Sequence, residues 1–282
     1  MNMIYIGLTG WGDHDTLYEG IGSQTKLLAY AGYFPTVELD SSFYAIQPLR
    51  NMEKWAKETP ESFRFIVKAY QGITGHQRGS QPFESKEEMF AAYCASLGPL
   101  QAANKLAMVL CQFPPWFDCK KEHVQWLRYV KKKLEAFPLA LEFRHQSWFT
   151  GAMRERTLSY MREDGWIHSI CDEPQAGTGS IPTVLEPTNA EKTLIRFHGR
   201  NQYGWNDPGN GKWREVRYLY RYNEEELQEW LVNIRELQQK TKDIYIVFNN
   251  NSGGDAADNA KQFINLLGIE YQGLAPRQLG LF

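Results

Sequence analysis

Short apolar runs recur along this 282-residue chain, and nearly all of them end on a polar or charged side chain. The clearest is Ala140-Leu141-Glu142-Phe143-Arg144-His145. Successive side chains of a strand point to opposite faces, so Glu142 and Arg144 share one face while Leu141 and Phe143 share the other. Seven further runs have the same character, at 3–8, 36–40, 63–69, 106–112, 166–171, 193–198 and 244–248. Eight helical segments are expected to alternate with them, among them 51–58, 85–103, 120–136, 151–164, 224–240 and 255–267. Strict alternation of strand and helix implies a parallel sheet. Eight such units in one chain of this length favour an α/β fold, a single closed (β/α)8 barrel. The barrel is expected over residues 1–268, with 269–282 as a C-terminal tail.

Hydrophobic residues make up 43% of the chain, enough for a full core, and the formal net charge is −2. That balance excludes a global attraction to nucleic acid, so any anion binding has to come from a local patch. Cys94, Cys111, Cys119 and Cys171 show no CxxC spacing and read as free thiols of a reducing, cytoplasmic compartment. No apolar run is long enough to span a membrane, and the N-terminus lacks a signal-peptide pattern.

Barrels of this kind keep their chemistry at the C-terminal ends of the strands. Those ends carry Glu38, Asp40, Lys68, Gln112, Glu142, Arg144, Asp172, Arg196, His198 and Asn249. A barrel built for stability alone would place branched apolar residues there. Charges buried without partners are costly, so this set has to pair internally or hold something. Lys68, Arg144, Arg196 and Arg200 match carboxylate or phosphate oxygens, with Asn249 as a further anion contact. Glu38, Glu142 and Asp172 can neutralise them or serve as acid and base, with His198 as a proton donor or ligand. Lys68 is also a candidate catalytic amine, although its Arg-rich surroundings do not single it out. The interleaved cations oppose a bound metal ion, and no cofactor is specified.

The stretch after the seventh run interleaves Arg200, Arg214, Arg217 and Arg221 with Tyr203, Trp205, Trp213, Tyr218, Tyr220 and Tyr222. Such a mixture suits stacked bases and phosphates, and equally a lid packed on the barrel rim. Ser252-Gly253-Gly254-Asp255 precedes the last helix and reads as a helix start.

Several segments together resemble the TIM-barrel family called domain of unknown function 72, or YecE-like. They are Gly10-Trp11, Val37-Glu38-Leu39-Asp40-Ser41-Ser42-Phe43-Tyr44, Thr59-Pro60 with 63–68, and Ile73-Thr74-Gly75-His76. Gln112-Phe113-Pro114-Pro115, Glu142-Phe143-Arg144-His145 with Ser147-Trp148, Arg196-Phe197-His198-Gly199-Arg200 and Phe248-Asn249-Asn250 complete the set. The resemblance implies a TIM barrel and assigns no activity.

The final five residues, Gln278-Leu279-Gly280-Leu281-Phe282, resemble the peptide Gln-Leu-Ser/Asp-Leu-Phe that binds the bacterial sliding clamp. Gln278, Leu279, Leu281 and Phe282 match, and Gly280 replaces the small polar residue. Three functional readings follow. One is an enzyme acting on nucleic acid or another phosphorylated ligand and recruited to DNA through the tail. The second is a small-molecule isomerase, lyase or hydrolase of sugar-phosphate type. The third is a non-catalytic nucleic-acid-binding adaptor.

Overall fold

The structure is a computed structural model and describes residues 2–18, 22, 25–80, 82–206 and 213–277. Eight strands close into a barrel in sequence order: β1 (Met3–Thr9), β2 (Thr36–Leu39), β3 (Arg64–Lys68), β4 (Leu106–Gln112), β5 (Leu139–Glu142), β6 (Ile167–Asp172), β7 (Lys192–Phe197) and β8 (Asp243–Phe248). All neighbours are parallel, and β1 pairs with β8 to complete the ring. The helices are α1 (Lys26–Tyr30), α2 (Ser41–Tyr44), α3 (Leu49–Glu58), α4 (Gln71–Thr74), α5 (Lys86–Ala102), α6 (Lys121–Lys133), α7 (Met153–Glu163), α8 (Gln202–Trp205), α9 (Trp213–Val216), α10 (Glu224–Leu237) and α11 (Ala256–Leu267). The molecule is therefore the expected single (β/α)8 barrel of the α/β class. No helix among the described residues is long and apolar enough to cross a membrane.

Alternation divides each strand between two apolar environments. Ile66, Leu110, Ala140, Ile167, Leu194 and Val247 point inward and fill the lumen. Phe65, Val109, Leu141, Ile195 and Phe248 point outward into the larger core beneath the helices. Both faces of these strands are covered, which is why the runs are nearly continuous in apolar residues. Gly7 allows the closest approach at β1, because a Cβ there would sit 2.0 Å from the Thr36 carbonyl oxygen.

One connection departs from the expected alternation. Residues 173–191, between β6 and β7, contain no helix. Pro174, Pro182 and Pro187 each remove a backbone donor, and Gly177 adopts φ +92°. The capping expectation at the last helix also shifts. The Asp255 side chain makes no cap hydrogen bond and instead accepts from Arg221 Nη1 at 3.0 Å. Residues 269–277, assigned by sequence to the tail, lie against the barrel. The Tyr271 hydroxyl accepts from the Ile6 N–H at 3.0 Å, and the Ala275 N–H donates to the Ala31 carbonyl at 3.0 Å. Gln278, Leu279, Leu281 and Phe282 lie outside the described residues.

Candidate functional site

Strand parity selects which strand-end groups meet. Glu38, Lys68, Gln112, Glu142, Arg144, Ser169, Arg196, His198 and Asn249 are all in phase with inward-pointing residues lower on their strands. Arg196 is the hub, only 1% exposed. Its Nε and Nη2 donate to Glu38 Oε2 and Oε1 at 2.8 and 2.7 Å. Its Nη1 donates to Glu142 Oε1 and Oε2 at 3.0 and 2.9 Å. Glu142 also accepts from Gln112 Nε2 at 2.7 Å, Ser169 Oγ at 3.0 Å and Arg144 Nη1 at 3.2 Å. Burial would push the Glu142 carboxyl up, but Arg196, His198 and Arg144 together hold it well below the usual carboxylate range. Glu142 is thus a fixed anion at the centre of the cage. Burial pushes Glu38 up, against the pull of Arg196 and Lys68.

His198 is fully buried, with Nδ1 2.9 Å from Asn249 Nδ2 and Nε2 3.4 Å from both Glu142 Oε1 and Arg196 Nη1. Burial and the Arg196 and Arg144 charges push its pKa far down, so the imidazole is neutral. Asn249 is occupied in positioning that ring. Glu142, Cys171 and His198 bring one ligand atom each within 4.8 Å of one another. Two guanidinium groups already fill this space, which disfavours a cation there.

Two sequence candidates fall outside the cage. Asp172 is out of phase with Ser169 and faces the outer helices. It accepts from Arg200 Nε and Nη2 at 2.9 and 2.7 Å and from Trp230 Nε1 at 2.5 Å. Gly199, at φ +83°, turns the chain outward between His198 and Arg200, and a Cβ there would meet the Tyr220 Cβ at 2.5 Å. Arg200 accordingly reaches Asp172, Glu226 and Glu229, and the cage does not include it.

Sequence reasoning missed Glu173 and gave no individual role to Arg217 or Tyr218. Glu173 lies one residue beyond β6 and continues the inward phase of Ser169 and Cys171. Its Oε2 accepts from Arg144 Nη1 at 2.8 Å and its Oε1 from the Ile181 N–H at 2.7 Å. Burial pushes its pKa up to about 7. Arg144 and Arg217 both lie over the indole of Trp205, at 4.7 and 4.4 Å from the ring centre. Among the described residues, buried Arg144 Nη2 and Arg217 Nε have no hydrogen-bond partner. Burial would raise the Tyr218 phenol, but Arg217, Arg144, Lys68 and Arg196 together pull it below its ordinary value. Lys68 is half-buried and rests 4.7 Å from the Phe43 ring centre. Phe43 and Trp116 both contact His76 edge-on, and exposed Tyr44 and Trp116 extend this aromatic rim outward.

The cage holds Lys68, Arg144, Arg196 and Arg217 against Glu38, Glu142 and Glu173. Arg196 is matched in full by Glu38 and Glu142. The remaining groups leave positive charge in excess, with two donor nitrogens unspent among the described residues. A buried donor without a partner loses its solvation with no return. A separate groove of about 540 Å³ opens at the N-terminal end of the barrel, lined by Tyr5, Arg64, Leu267 and Tyr271 among others. Arg64 Nη1 is satisfied there by the carbonyls of Glu61 and Phe63. The groove lacks the convergent charges found at the strand ends, so the cage is the stronger candidate despite the groove's size.

A family model described as protein of unknown function DUF72 matches residues 5–280. The UPF0759 protein YunF of Bacillus subtilis (strain 168) is 66% identical over 282 residues, covering 99% of this chain and 100% of that protein. The UPF0759 protein YecE of Escherichia coli (strain K12) is 26% identical over 157 residues, or 56% of this chain and 54% of that one. A crystal structure of a DUF72 family protein from Enterococcus faecalis V583 superposes with a TM-score of 0.92 at 38% identity, over 98% of this chain and 100% of that one. One from Thermotoga maritima MSB8 gives 0.80 at 29% identity, over 95% and 100%.

Proposed function

The chain belongs to the DUF72 family, and from that premise we propose that its strand-end cage binds a phosphorylated ligand as the site of an enzyme acting on nucleic acid or another phosphorylated compound. The observation that carries this reading is the pair of unspent donors, Arg144 Nη2 and Arg217 Nε, buried beside one indole. A phosphate offers three or more acceptor oxygens, and guanidinium groups meet such oxygens with directed N–H bonds. The Phe43–His76–Trp116 rim, with exposed Tyr44, offers ring faces on which a base or sugar can rest.

The roles follow from charge. Glu142 and Glu38 hold Arg196 and so shape the cage. Arg144 and Arg217 bind the anion. Glu173 and Tyr218 supply exchangeable protons, since one titrates near neutrality and the other is pulled toward it. His198, neutral and held by Asn249, positions Glu142.

Residues 278–282 would tether this site to DNA by binding a bacterial sliding clamp as an extended peptide, with Leu281 and Phe282 in an apolar pocket. A cytoplasmic location suits that role and the four free cysteines. A small sugar phosphate is the second reading, and Lys68 is the observation that favours it. Calorimetric titration with inorganic phosphate, a nucleoside monophosphate and a single-stranded oligonucleotide tests the proposal. Binding of all three, weakened in Arg217→Ala, supports it. Binding of the monophosphate without the oligonucleotide moves the assignment to the second reading.

A further inference from the structure

We propose that Lys68 is an amine nucleophile that forms an imine with an aldehyde or ketone bearing a phosphate, the phosphate being held by Arg144 and Arg217. The inference rests on the anion-binding reading for the phosphate and adds the carbonyl group as the reacting centre.

Lys68 ends β3 in phase with Ile66, which lines the lumen, so its chain rises from the barrel floor into the mouth. Its amine makes no hydrogen bond or ion pair among the described residues, and it rests 4.7 Å from the Phe43 ring centre. The reason lies in Arg196. Glu38 and Glu142 both act electrostatically on Lys68, yet Arg196 occupies both oxygens of each at 2.7–3.0 Å. The guanidinium wins this competition because its fork matches each carboxylate. Lys68 is left as a cation beside a stronger cation. Burial first, and then Arg196, lowers its pKa, with Glu38, Tyr218 and Glu142 opposing. Desolvation next to a fixed positive charge is how an amine becomes available as a nucleophile.

The chemistry balances with groups on the page. The unprotonated Lys68 Nζ adds to the carbonyl carbon and forms a C–N bond. The two protons of the Lys68 amine pass in turn to the carbonyl oxygen, directly or relayed by the Tyr218 phenol, as the C–O bond gives way to C=N. Loss of that oxygen as one water molecule gives the imine. Its protonated form draws electrons from the neighbouring carbon, with Tyr218 or Glu173 as proton acceptor.

The test treats full-length protein with dihydroxyacetone phosphate and cyanoborohydride, followed by intact-mass measurement and peptide mapping. Dihydroxyacetone serves as the phosphate-free control. The expected result is a reduced adduct on Lys68, at least several-fold above any exposed lysine and above the control. Arg217→Ala should lower its yield several-fold. Lys68→Arg and Lys68→Met should remove it while phosphate still binds by calorimetry. A wild-type protein that binds phosphate yet carries no preferential Lys68 adduct overturns the proposal without touching the anion reading. A Lys68 adduct equal with dihydroxyacetone overturns the part assigned to the phosphate. The wild-type map alone decides between these results, whether or not a variant folds.

Discussion

Arg196 on β7 donates two hydrogen bonds to Glu38 on β2, at 2.7 and 2.8 Å, across the lumen. Strands β8 and β1 separate the two along the sheet, so the ion pair ties together parts of the ring that share no backbone bonds. The same guanidinium reaches Glu142 on β5 and so braces a third strand.

Removing this brace should be costly. Arg196→Met leaves two carboxylates buried without their partner, and breaking such a pair costs about 3–5 kcal/mol. Thermal or urea unfolding should show a loss of that size. A variant as stable as the wild type would mean that solvent already reaches the cage.

The outer pair separates fold from site. Asp172→Ala takes the shortest carboxylate contact from Arg200 and strands the buried Trp230 indole N–H, and a buried donor left unpaired costs about 1–3 kcal/mol. Unfolding should register that loss while phosphate affinity stays unchanged. A fall in affinity equal to that of Arg144→Ala would return Asp172 to the site.

Glu173 sets a pH dependence. Its folded pKa of about 7 lies above the usual 4.5, so the folded state favours the protonated form. The stability it contributes is full below 4.5 and is lost as pH rises through about 7. Protonation also removes a negative charge facing Arg144, with Glu142 and Arg217 nearby. Anion affinity should therefore strengthen as pH falls through about 7, as measured by titration calorimetry across that range. The changes at Lys68 and Tyr218 act in the same direction, since each is more positive at lower pH. Glu173→Gln should bind at the stronger level throughout and flatten the part of the profile due to this group.

Parity explains what could be read from the sequence and what could not. Glu142 and Arg144 alternate with Leu141 and Phe143, and Arg196 with Phe197, so their shared inward face was legible. Asp172 was misplaced because it closes an apolar run, where position looked like membership. In phase with Ser169 the site residue is Glu173, which hides in a connection rich in proline and glycine. Arg217 and Tyr218 come from a long segment whose route over the mouth depends on Gly199 and on packing around Trp205. No periodicity encodes such a path. The absence of a helix between β6 and β7 was legible in a connection rich in glycine, proline and threonine, with Pro174, Pro182 and Pro187.

The tail prediction concerns a partner. Burying Leu281 and Phe282 gives roughly 3–6 kcal/mol before ordering costs, so binding to the clamp should be around micromolar. Deleting residues 278–282 should abolish capture by a sliding clamp from the same organism and leave the melting temperature nearly unchanged. Equal capture by both forms in a surface-binding assay would assign the interaction elsewhere.

The central claim is that the mouth is built for an anion, and calorimetric titration of phosphate at low salt tests it most directly. The account predicts one site per chain. Affinity should fall by about 1.5–3 kcal/mol in both Arg144→Ala and Arg217→Ala, the range for hydrogen bonds to charged groups. A wild-type protein with no measurable phosphate affinity, or one whose affinity both substitutions leave intact, would contradict it.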